Sequence, residues 1–295
     1  ALIEAYDAAE NGDVITLSGG RFVCPTDIDK PITIHGAGVL PDSISMTEAT
    51  VLTGSNIRFR FGSLEDHLVI EGIDFSAVSN LCFYILSHAE FKRCTIGSIG
   101  VFGISDGTNN VCFTNCRIGY INCYRITNCL FINSMVFSAD QLNLSQSTER
   151  NAIVYNSYFC LSGNQNVTFC NFTNSIVVGN GNAFPDASCN IINCVCVTNG
   201  YSSLLQNALH TNCMEVENLE DVFVDFTNNM NDPFVLKDEI ATDFLGTDGT
   251  EVGIYGGMFP FYDIPKYMIM RRCNVGSRTT DDGHLSVDIE VVTEE

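Results

Sequence analysis

The most regular feature of the chain is a short pattern of apolar, polar and small residues that recurs about every twenty positions. It reads FTNCRI at residues 113–118 and returns in altered form as FINSMV, VYNSYF, FTNSIV and IINCVC. In nine of ten units the residue two before the central position is apolar and the residue just after it is small. The central residues of the ten units are Gly36, Gly54, Gly72, Arg93, Asn115, Asn133, Asn156, Asn174, Asn193 and Asn212.

The central positions favour a sharp backbone bend, because Gly and Asn enter the left-handed region at the lowest cost. A single bend residue between two short strands shifts the alternation of side chains. The positions two before, one after and three after the bend then all point inward. Recurrence every 18–23 residues, without hairpin spacing or helical stretches, predicts a parallel β-solenoid of about ten rungs.

The two ends of the chain depart from this pattern and are expected to cap the solenoid. At the start, Leu2, Ile3, Tyr6 and Ala9 share one face of a predicted helix. We therefore divide the chain into an N-terminal cap of helix and first strands (1–30), a β-helix body (31–215), and a C-terminal capping and tail segment that packs on the solenoid (216–295).

Two stretches outside the repeats carry a family resemblance. Together with the Gly/Asn-Cys/Ser rungs, AAENGDVITLSGGRF near the start and GTDGTEVGIYGGMFPFYDIPKY near the end resemble exported bacterial proteins of the pectate-lyase-like superfamily. The resemblance covers roughly residues 1–265 and implies an all-β, right-handed, single-stranded parallel β-helix. It also implies an extracellular or cell-surface protein whose signal peptide has been removed. That superfamily contains lyases, hydrolases, tail spikes, adhesins and inert rods, so the resemblance does not choose an activity.

Eight of the fourteen cysteines fall at repeated inward positions, which predicts an internal stack of free thiols and serines. Two alternatives remain open at this stage. Disulfides could join stacked coils, as in Cys94–Cys116 or Cys194–Cys213. A zinc site would need CxxC-type pairs, which Cys112, Cys116, Cys123 and Cys129 lack, so we expect no metal. The positions that define the two stacks are Cys94, Cys116, Cys194 and Cys213, then Cys129, Cys170 and Cys189, with Cys196 at a further inward position.

The charge distribution narrows the possible partners. The net charge is −21, yet residues 111–214 carry only three basic and three acidic side chains. A protein with this net charge repels phosphate backbones, so we do not expect it to bind nucleic acid. No apolar run approaches the ~20 residues of a membrane span, so we expect no transmembrane segment.

Catalysis on such a fold would require charged side chains in the nearly uncharged middle of the chain. A lyase resembling pectate lyase would need calcium and a base, for which Arg117 is the best-placed residue. That is the only context in which we expect a cofactor. A glycosidase would need two carboxylates flanking the bond, and Asp140, Glu149 and Asp186 in long polar loops are the candidates. The contiguous TTDDGH at 279–284 favours a turn.

Outward positions beside the later bends are apolar or aromatic, unlike those beside the early bends. Such a stripe is rarely left in water, so we expect the C-terminal segment, a partner or another copy of the chain to cover it. Tyr155 and Tyr158 could also stack on sugars, although the lack of Trp counts against a dedicated carbohydrate platform. The other members of the stripe are Ile132, Met135, Ile176, Ile192, Val195 and Met214.

The sequence therefore favours a non-catalytic, secreted or cell-surface β-helix that works in adhesion, glycan binding or scaffolding. Its partner would be an extracellular polysaccharide or a surface protein. The alternative is a polysaccharide lyase or glycoside hydrolase that uses the loop carboxylates.

Overall fold

The computed structural model describes residues 1–41, 47–61, 67–100, 107–122, 126–140, 152–163, 167–262, 269–279 and 285–292. Its helices are α1 (Leu2–Ala8), α2 (Asp238–Asp243) and a 3-10 turn at Leu219–Asp221. The strands are β1 (Val14–Thr16), β2 (Gly20–Val23), β3 (Asp27–Ile28), β4 (Thr33–His35), β5 (Thr50–Phe61), β6 (Leu68–Glu71), β7 (Val78–Lys92), β8 (Thr95–Gly100), β9 (Gly107–Thr114), β10 (Arg117–Asn122), β11 (Ile126–Thr127), β12 (Cys129–Ile132), β13 (Met135–Asp140), β14 (Ala152–Tyr155), β15 (Tyr158–Gly163), β16 (Cys170–Thr173), β17 (Ile176–Gly181), β18 (Asn190–Ile192), β19 (Val195–Val197), β20 (Leu209–Thr211), β21 (Met214–Val216), β22 (Ile269–Thr279) and β23 (Leu285–Val292).

The strands form a parallel β-solenoid, as the sequence predicts. Strand segments that precede each bend stack into what we call the entry sheet, and segments that follow each bend stack into the exit sheet. Within the described residues the entry sheet has ten parallel segments in unbroken register. The residues that pair in succession just before the bends are Thr16, His35, Glu71, Lys92, Thr114, Ile132, Tyr155, Thr173, Ile192 and Thr211.

The bends confirm the role given to Asn. Seven bend residues have φ between 46° and 54°: Arg93, Asn115, Asn133, Asn156, Asn174, Asn193 and Asn212. Gly72 follows the same conformation, with φ of 66°. Gly36 is needed for a different reason, because a Cβ there would collide with the carbonyl oxygen of Gly72 in the next coil.

One predicted unit is wrong. Gly54 lies inside β5, where it pairs with Val78 in an extended ladder and makes no bend. The tenth entry segment is β1 instead, and Leu17 donates its N–H to the carbonyl oxygen of His35 at the level of the Gly36 bend. The count of ten is unchanged because β1 replaces the unit around Gly54.

A second left-handed bend, at the start of the entry-sheet strands, has no counterpart in the predicted pattern. It contains His88, Asn110, Asn128 and Phe169, all with φ between 52° and 56°. Each of these residues directly precedes an inward-pointing strand residue. In these four coils the entry-sheet segment is therefore bounded by a bend at each end, even where β7 and β9 continue through the earlier bend.

The interior is filled by side chains that stack from coil to coil, with similar residue types at equivalent positions. Phe113 lies between Phe91 and Phe131 with centroid separations of 5.2 and 5.1 Å. The predicted thiol and serine stack is confirmed, since Ser134, Ser157 and Ser175 continue it between the cysteines. The twelve described cysteines are all free thiols, including Cys94, Cys116, Cys194 and Cys213.

Helix α1 closes the first coil. Leu2 and Tyr6 are buried, and the Tyr6 hydroxyl donates to Asp29 Oδ1 at 2.9 Å and accepts the backbone N–H groups of Asp29 and Lys30. Ile3, which the pattern assigned to the buried face, is instead 41% exposed. The helix is only seven residues long, and its contact with the coil uses the positions of Leu2 and Tyr6, one turn apart.

Residues 217–262 run back along the solenoid, and we call them the C-terminal segment. They contain the 3-10 turn and α2, and their isolated bridges join Phe223 with Leu236 and Leu245 with Glu251. The strands β22 and β23 pair separately as an antiparallel hairpin. Among the described helices, the longest, α1, has seven residues, far fewer than a membrane crossing requires.

Candidate functional site

The outward side of the exit sheet is covered by the C-terminal segment. Met135, Tyr158, Ile176 and Val195 each have 1% or less of their surface exposed and form a second apolar core outside the solenoid. The C-terminal segment contributes to this core Val222, Phe223, Phe234, Leu236, Ile240, Val252, Ile254 and Phe261. This half of the predicted stripe is therefore an internal surface of the folded chain.

Tyr158 lies at the centre of that second core. Its ring packs at 5.0 Å from Phe234 and its hydroxyl donates to Asn228 Oδ1 at 3.2 Å. Burial raises the pKa of this phenol well above its usual value. Since none of its surface is exposed, Tyr158 could stack on a sugar only after the C-terminal segment had moved away.

The Asn bends also bind the C-terminal segment. Asn133 Nδ2 donates to the carbonyl oxygens of Ile254 at 2.8 Å and Gly256 at 2.7 Å. Asn174 exchanges hydrogen bonds with Thr247, and Asn193 Nδ2 donates to the carbonyl of Leu245 at 2.7 Å. These amides therefore serve two purposes: their residues form the bend, and their side chains satisfy backbone groups of the covering segment.

Arg117, the candidate base, lies beneath the same segment. It is 6% exposed, its Nε donates to the carbonyl of Met230 at 3.0 Å, and its guanidinium lies 4.8 Å from the ring centroid of Phe261. The position two after the bend does point outward, but the C-terminal segment occupies the space in front of it. Arg117 does not face an open groove in this structure.

The candidate carboxylates lie in separate surroundings. Asp140 ends β13 and accepts the Tyr120 hydroxyl at 3.3 Å. Asp186 lies in the turn between β17 and β18 and accepts the N–H of Ser188 at 2.8 Å and its hydroxyl at 2.5 Å. Neither has the other as a hydrogen-bond partner. Glu149 lies outside the described residues.

The entry sheet offers a different outward surface, on its last six strands. Its twelve outward side chains carry no charge, and we call this surface the uncharged strip. Tyr155 is 42% exposed, Ile192 40% and Leu209 62%, while Ile132 is half-buried. The strip consists of Cys112, Thr114, Leu130, Ile132, Ile153, Tyr155, Asn171, Thr173, Asn190, Ile192, Leu209 and Thr211.

The strip has an apolar centre and a polar side of amides and hydroxyls. Tyr155 pairs in register with Ile132 on one neighbouring strand and Thr173 on the other. Next to Thr173 in the polar part, Asn190 Nδ2 donates to Asn171 Oδ1 at 2.8 Å, and this bond uses only part of the hydrogen-bonding capacity of the two amides. Parallel strands lie about 4.8 Å apart, so six strands give a surface about 25 Å long.

The strip ends abruptly at the earlier coils, where the same outward rows become charged. Glu71 pairs with His35 at 3.1 Å and with Arg93, and Glu90 pairs with Lys92. The change takes place between Lys92 and Thr114, which are adjacent in the ladder. The outward face is therefore divided into an ion-paired half and an uncharged half.

Among the described residues, no group of three or more His, Cys, Asp or Glu side chains is arranged to hold a metal ion. Comparison of the chain with protein-family models, with curated proteins and with solved structures gave no match. The fold defines the protein as a parallel β-solenoid. Membership of the pectate-lyase-like superfamily and export from the cell stay predictions.

Proposed function

We propose that this protein is a non-catalytic recognition scaffold that binds a neutral glycan along the uncharged strip. In this proposal the solenoid works outside the cell or at its surface, as the resemblance implies. The observation that carries the proposal is a row of twelve outward side chains without a charge, centred on an exposed tyrosine, in a chain of net charge −21.

The charge pattern supports a binding role for the strip. Surface charges keep an acidic protein soluble, and a solvent-facing sheet normally carries them. Here the first half of the same face does carry them, at Glu71, Glu90 and Lys92. An uncharged surface of this length, with Ile192 and Leu209 substantially exposed, is typical of a site that meets another molecule.

The chemistry of the strip fits an uncharged sugar chain. An aromatic ring offers an apolar face to the C–H groups of a sugar, and Tyr155 adds a hydroxyl at its tip. The amides of Asn171 and Asn190 both donate and accept hydrogen bonds, as sugar hydroxyls do. The strongly acidic chain would repel an anionic polysaccharide, so we expect neutral glycans to bind in preference.

A glycan panel tests this proposal directly. We expect neutral polysaccharides, measured by titration calorimetry, to bind the full chain, and Tyr155→Ala to weaken binding at least tenfold. Tyr201→Ala is the matched control, because Tyr201 is 45% exposed but lies outside the strip. Equal losses in the two variants, or binding restricted to anionic chains, would overturn the assignment of the strip.

The same panel separates binding from cleavage. A lyase would release unsaturated ends, and a hydrolase would release reducing ends. The enzyme reading has less support, since Arg117 is buried beneath the C-terminal segment and Asp140 and Asp186 have different partners. Release of either product by the full chain would replace the scaffold proposal with the enzymatic one.

A further inference from the structure

The two ends of the solenoid differ in what covers them. Helix α1 covers the first coil, and its Leu2 and Tyr6 are buried there. At the other end, within the described residues, β20 and β21 pair only with strands of the preceding coil. All three residues of β20 and the central residue of β21 are exposed. The last coil therefore presents two short strand edges to solvent.

The hydrogen bonds of β21 show which of its backbone groups face the open side. Met214 donates its N–H to the carbonyl of Cys194, and the carbonyl of Val216 accepts the N–H of Thr198, both in the preceding coil. The backbone groups of successive strand residues point to opposite sides of the strand. The N–H and C=O of Glu215 therefore point away from the solenoid, and no other described strand pairs with them.

Strand β20 has the same arrangement. Leu209 donates its N–H to the carbonyl of Cys189, and the carbonyl of Thr211 accepts the N–H of Asn193, so the backbone groups of His210 face the open side. An unpaired edge of this kind is a template for another strand, because main-chain hydrogen bonds can continue across it.

The inward positions of the last coil are polar, unlike those of the coil before it. His210 pairs in register with Ile191, and Glu215 pairs with Cys196. Ile191 and Cys196 have none of their surface exposed, whereas His210 and Glu215 are exposed. A second copy docked end to end about a two-fold axis would bring two such acidic ends together, which like-charge repulsion disfavours.

An open pocket of about 400 Å³ lies between β21 and the turn that follows β19. Glu215 and Glu217 both line it, and both are exposed. The Ser203 hydroxyl donates to Glu215 Oε2 at 2.7 Å and so helps to orient that carboxylate. Two carboxylates beside an unpaired strand edge suit a strand that carries a Lys or Arg side chain.

We propose that the open edge of β21 binds an extended, basic segment of a partner protein, which adds a strand to the exit sheet. Paired side chains of a parallel ladder lie on the same side, about 4.8 Å apart, so a basic residue opposite Glu215 would reach the carboxylates. The surroundings favour the same partner, because residues 201–262 contain eleven Asp or Glu, one Lys and no Arg. This inference does not depend on the glycan proposal, since the uncharged strip lies on the entry sheet.

A fluorescein-labelled nonapeptide of alternating Thr and Lys is the probe for anisotropy titrations of the full chain. We expect saturable binding, and at least tenfold weaker binding to the double variant Glu215→Gln with Glu217→Gln. The matched control is Asp238→Asn with Glu239→Gln, which removes two exposed charges from α2 and should weaken binding less than twofold. Equal losses in the two double variants would reveal non-specific attraction by the acidic chain and would overturn the proposal.

The pairing of the backbones has its own test. The same peptide with every amide N-methylated keeps its charges but cannot form the ladder, so we expect it to show no saturable binding. If the methylated peptide binds as tightly as the parent, the edge of β21 is not the docking site.

Hydrogen exchange of the full chain supplies the remaining readout. The amide of Glu215 should exchange rapidly in the free protein and become protected when the Thr/Lys peptide is bound. Protection before the peptide is added would mean that the edge is already covered, by another part of the chain if the protein sediments as a monomer and by a second copy if it sediments as a dimer. Either result would overturn the assignment of a separate partner.

Discussion

Tyr155 and Tyr158 lie three residues apart in the same coil, on either side of the Asn156 bend, and have opposite environments. Tyr155 points out of the entry sheet and is 42% exposed. Tyr158 points out of the exit sheet and has no exposed surface, because Phe223 and Phe234 pack on its ring. The same residue type at two outward positions thus serves a solvent-facing surface and an internal core.

Ile192 and Val195 repeat this contrast two coils later, around Asn193. Ile192 is 40% exposed, whereas Val195 is completely buried. The difference shows that the bend separates two outward faces with different tasks. The exit face holds the C-terminal segment through apolar contacts and amide hydrogen bonds, and the uncharged strip on the entry face is available for a partner.

The largest expected effect comes from placing a charge on each face in turn. Val195→Asp would bury a carboxylate with no cation beside it, and we expect it to lower the free energy of unfolding by about 5 kcal/mol or to prevent folding. Ile192→Asp adds the same group at a solvent-facing position and should change the free energy of unfolding by less than about 1 kcal/mol. Urea unfolding followed by circular dichroism measures both.

Limited proteolysis gives the control for this pair. If the C-terminal segment covers Val195, then Val195→Asp should expose sites within residues 217–262 to protease while Ile192→Asp leaves them protected. Similar losses of stability in the two variants would mean that the two faces are not distinct.

The tyrosine pair should give the next largest effect. Tyr158→Ala removes a fully buried ring and leaves a cavity, which typically costs about 3–5 kcal/mol. Tyr155→Ala removes an exposed ring and should stay within about 0.5 kcal/mol of the wild type. The comparison by denaturant midpoint fails if Tyr155→Ala is as destabilising as Tyr158→Ala.

The Asn bends allow a test of the amide hydrogen bonds apart from the backbone conformation. Asn133→Gly keeps the left-handed φ of 46° accessible but removes both amide hydrogen bonds, and the Gly256 carbonyl loses its donor while the Ile254 carbonyl keeps the Phe261 N–H. We expect the free energy of unfolding to fall by about 2–3 kcal/mol, because two hydrogen bonds are lost and one acceptor is left unsatisfied. Faster protease cleavage near residue 254 should accompany it.

Asn115→Gly is the matched control for that variant. Asn115 has nearly the same backbone conformation, with φ of 53°. Its Oδ1, like that of Asn133, has no hydrogen-bond partner among the described residues, so the comparison isolates the bonds that Asn133 Nδ2 donates to Ile254 and Gly256. Glycine there should cost less than about 1 kcal/mol, mainly through the greater freedom of the unfolded chain. Equal losses at the two positions would show that the bend, and not the amide, holds the segment.

The solenoid could be predicted because its bends use residues with a conformational preference that the sequence displays. The prediction failed where residue type and backbone conformation do not correspond. LTGSNI has the right residue types around Gly54 but lies in a continuous strand, whereas the first entry strand, β1, ends at Thr16 and is followed by Leu17 in place of Gly or Asn. The second bend was missed for the same reason, since His88 and Phe169 adopt φ of 52° and 53° without being typical of that region.

The candidate site was predictable only in part. The sequence placed Tyr155 and Tyr158 together on an outward stripe, because both flank the bend, but it could not separate them. Their separation depends on where the C-terminal segment docks, and Asn133 and Ile254 are 121 residues apart in the chain. The uncharged strip itself was visible in part, as a lack of charge in residues 111–214.

The smallest expected effect concerns the boundary between the two halves of the entry face. Glu71→Gln would remove the charge that pairs with His35 and Arg93, and partly exposed ion pairs contribute only about 0–1 kcal/mol. In low salt we expect Glu71→Gln to lower the free energy of unfolding by that amount. In 1 M salt the difference should disappear, because screening already weakens the ion pairs of the wild type. The strip has no charges to screen, so Thr173→Ala should show the same unfolding free energy difference at both salt concentrations. A salt-dependent effect at Thr173 would mean that the uncharged half of the face is coupled to the ion pairs, and that the boundary drawn between Lys92 and Thr114 is not a physical one.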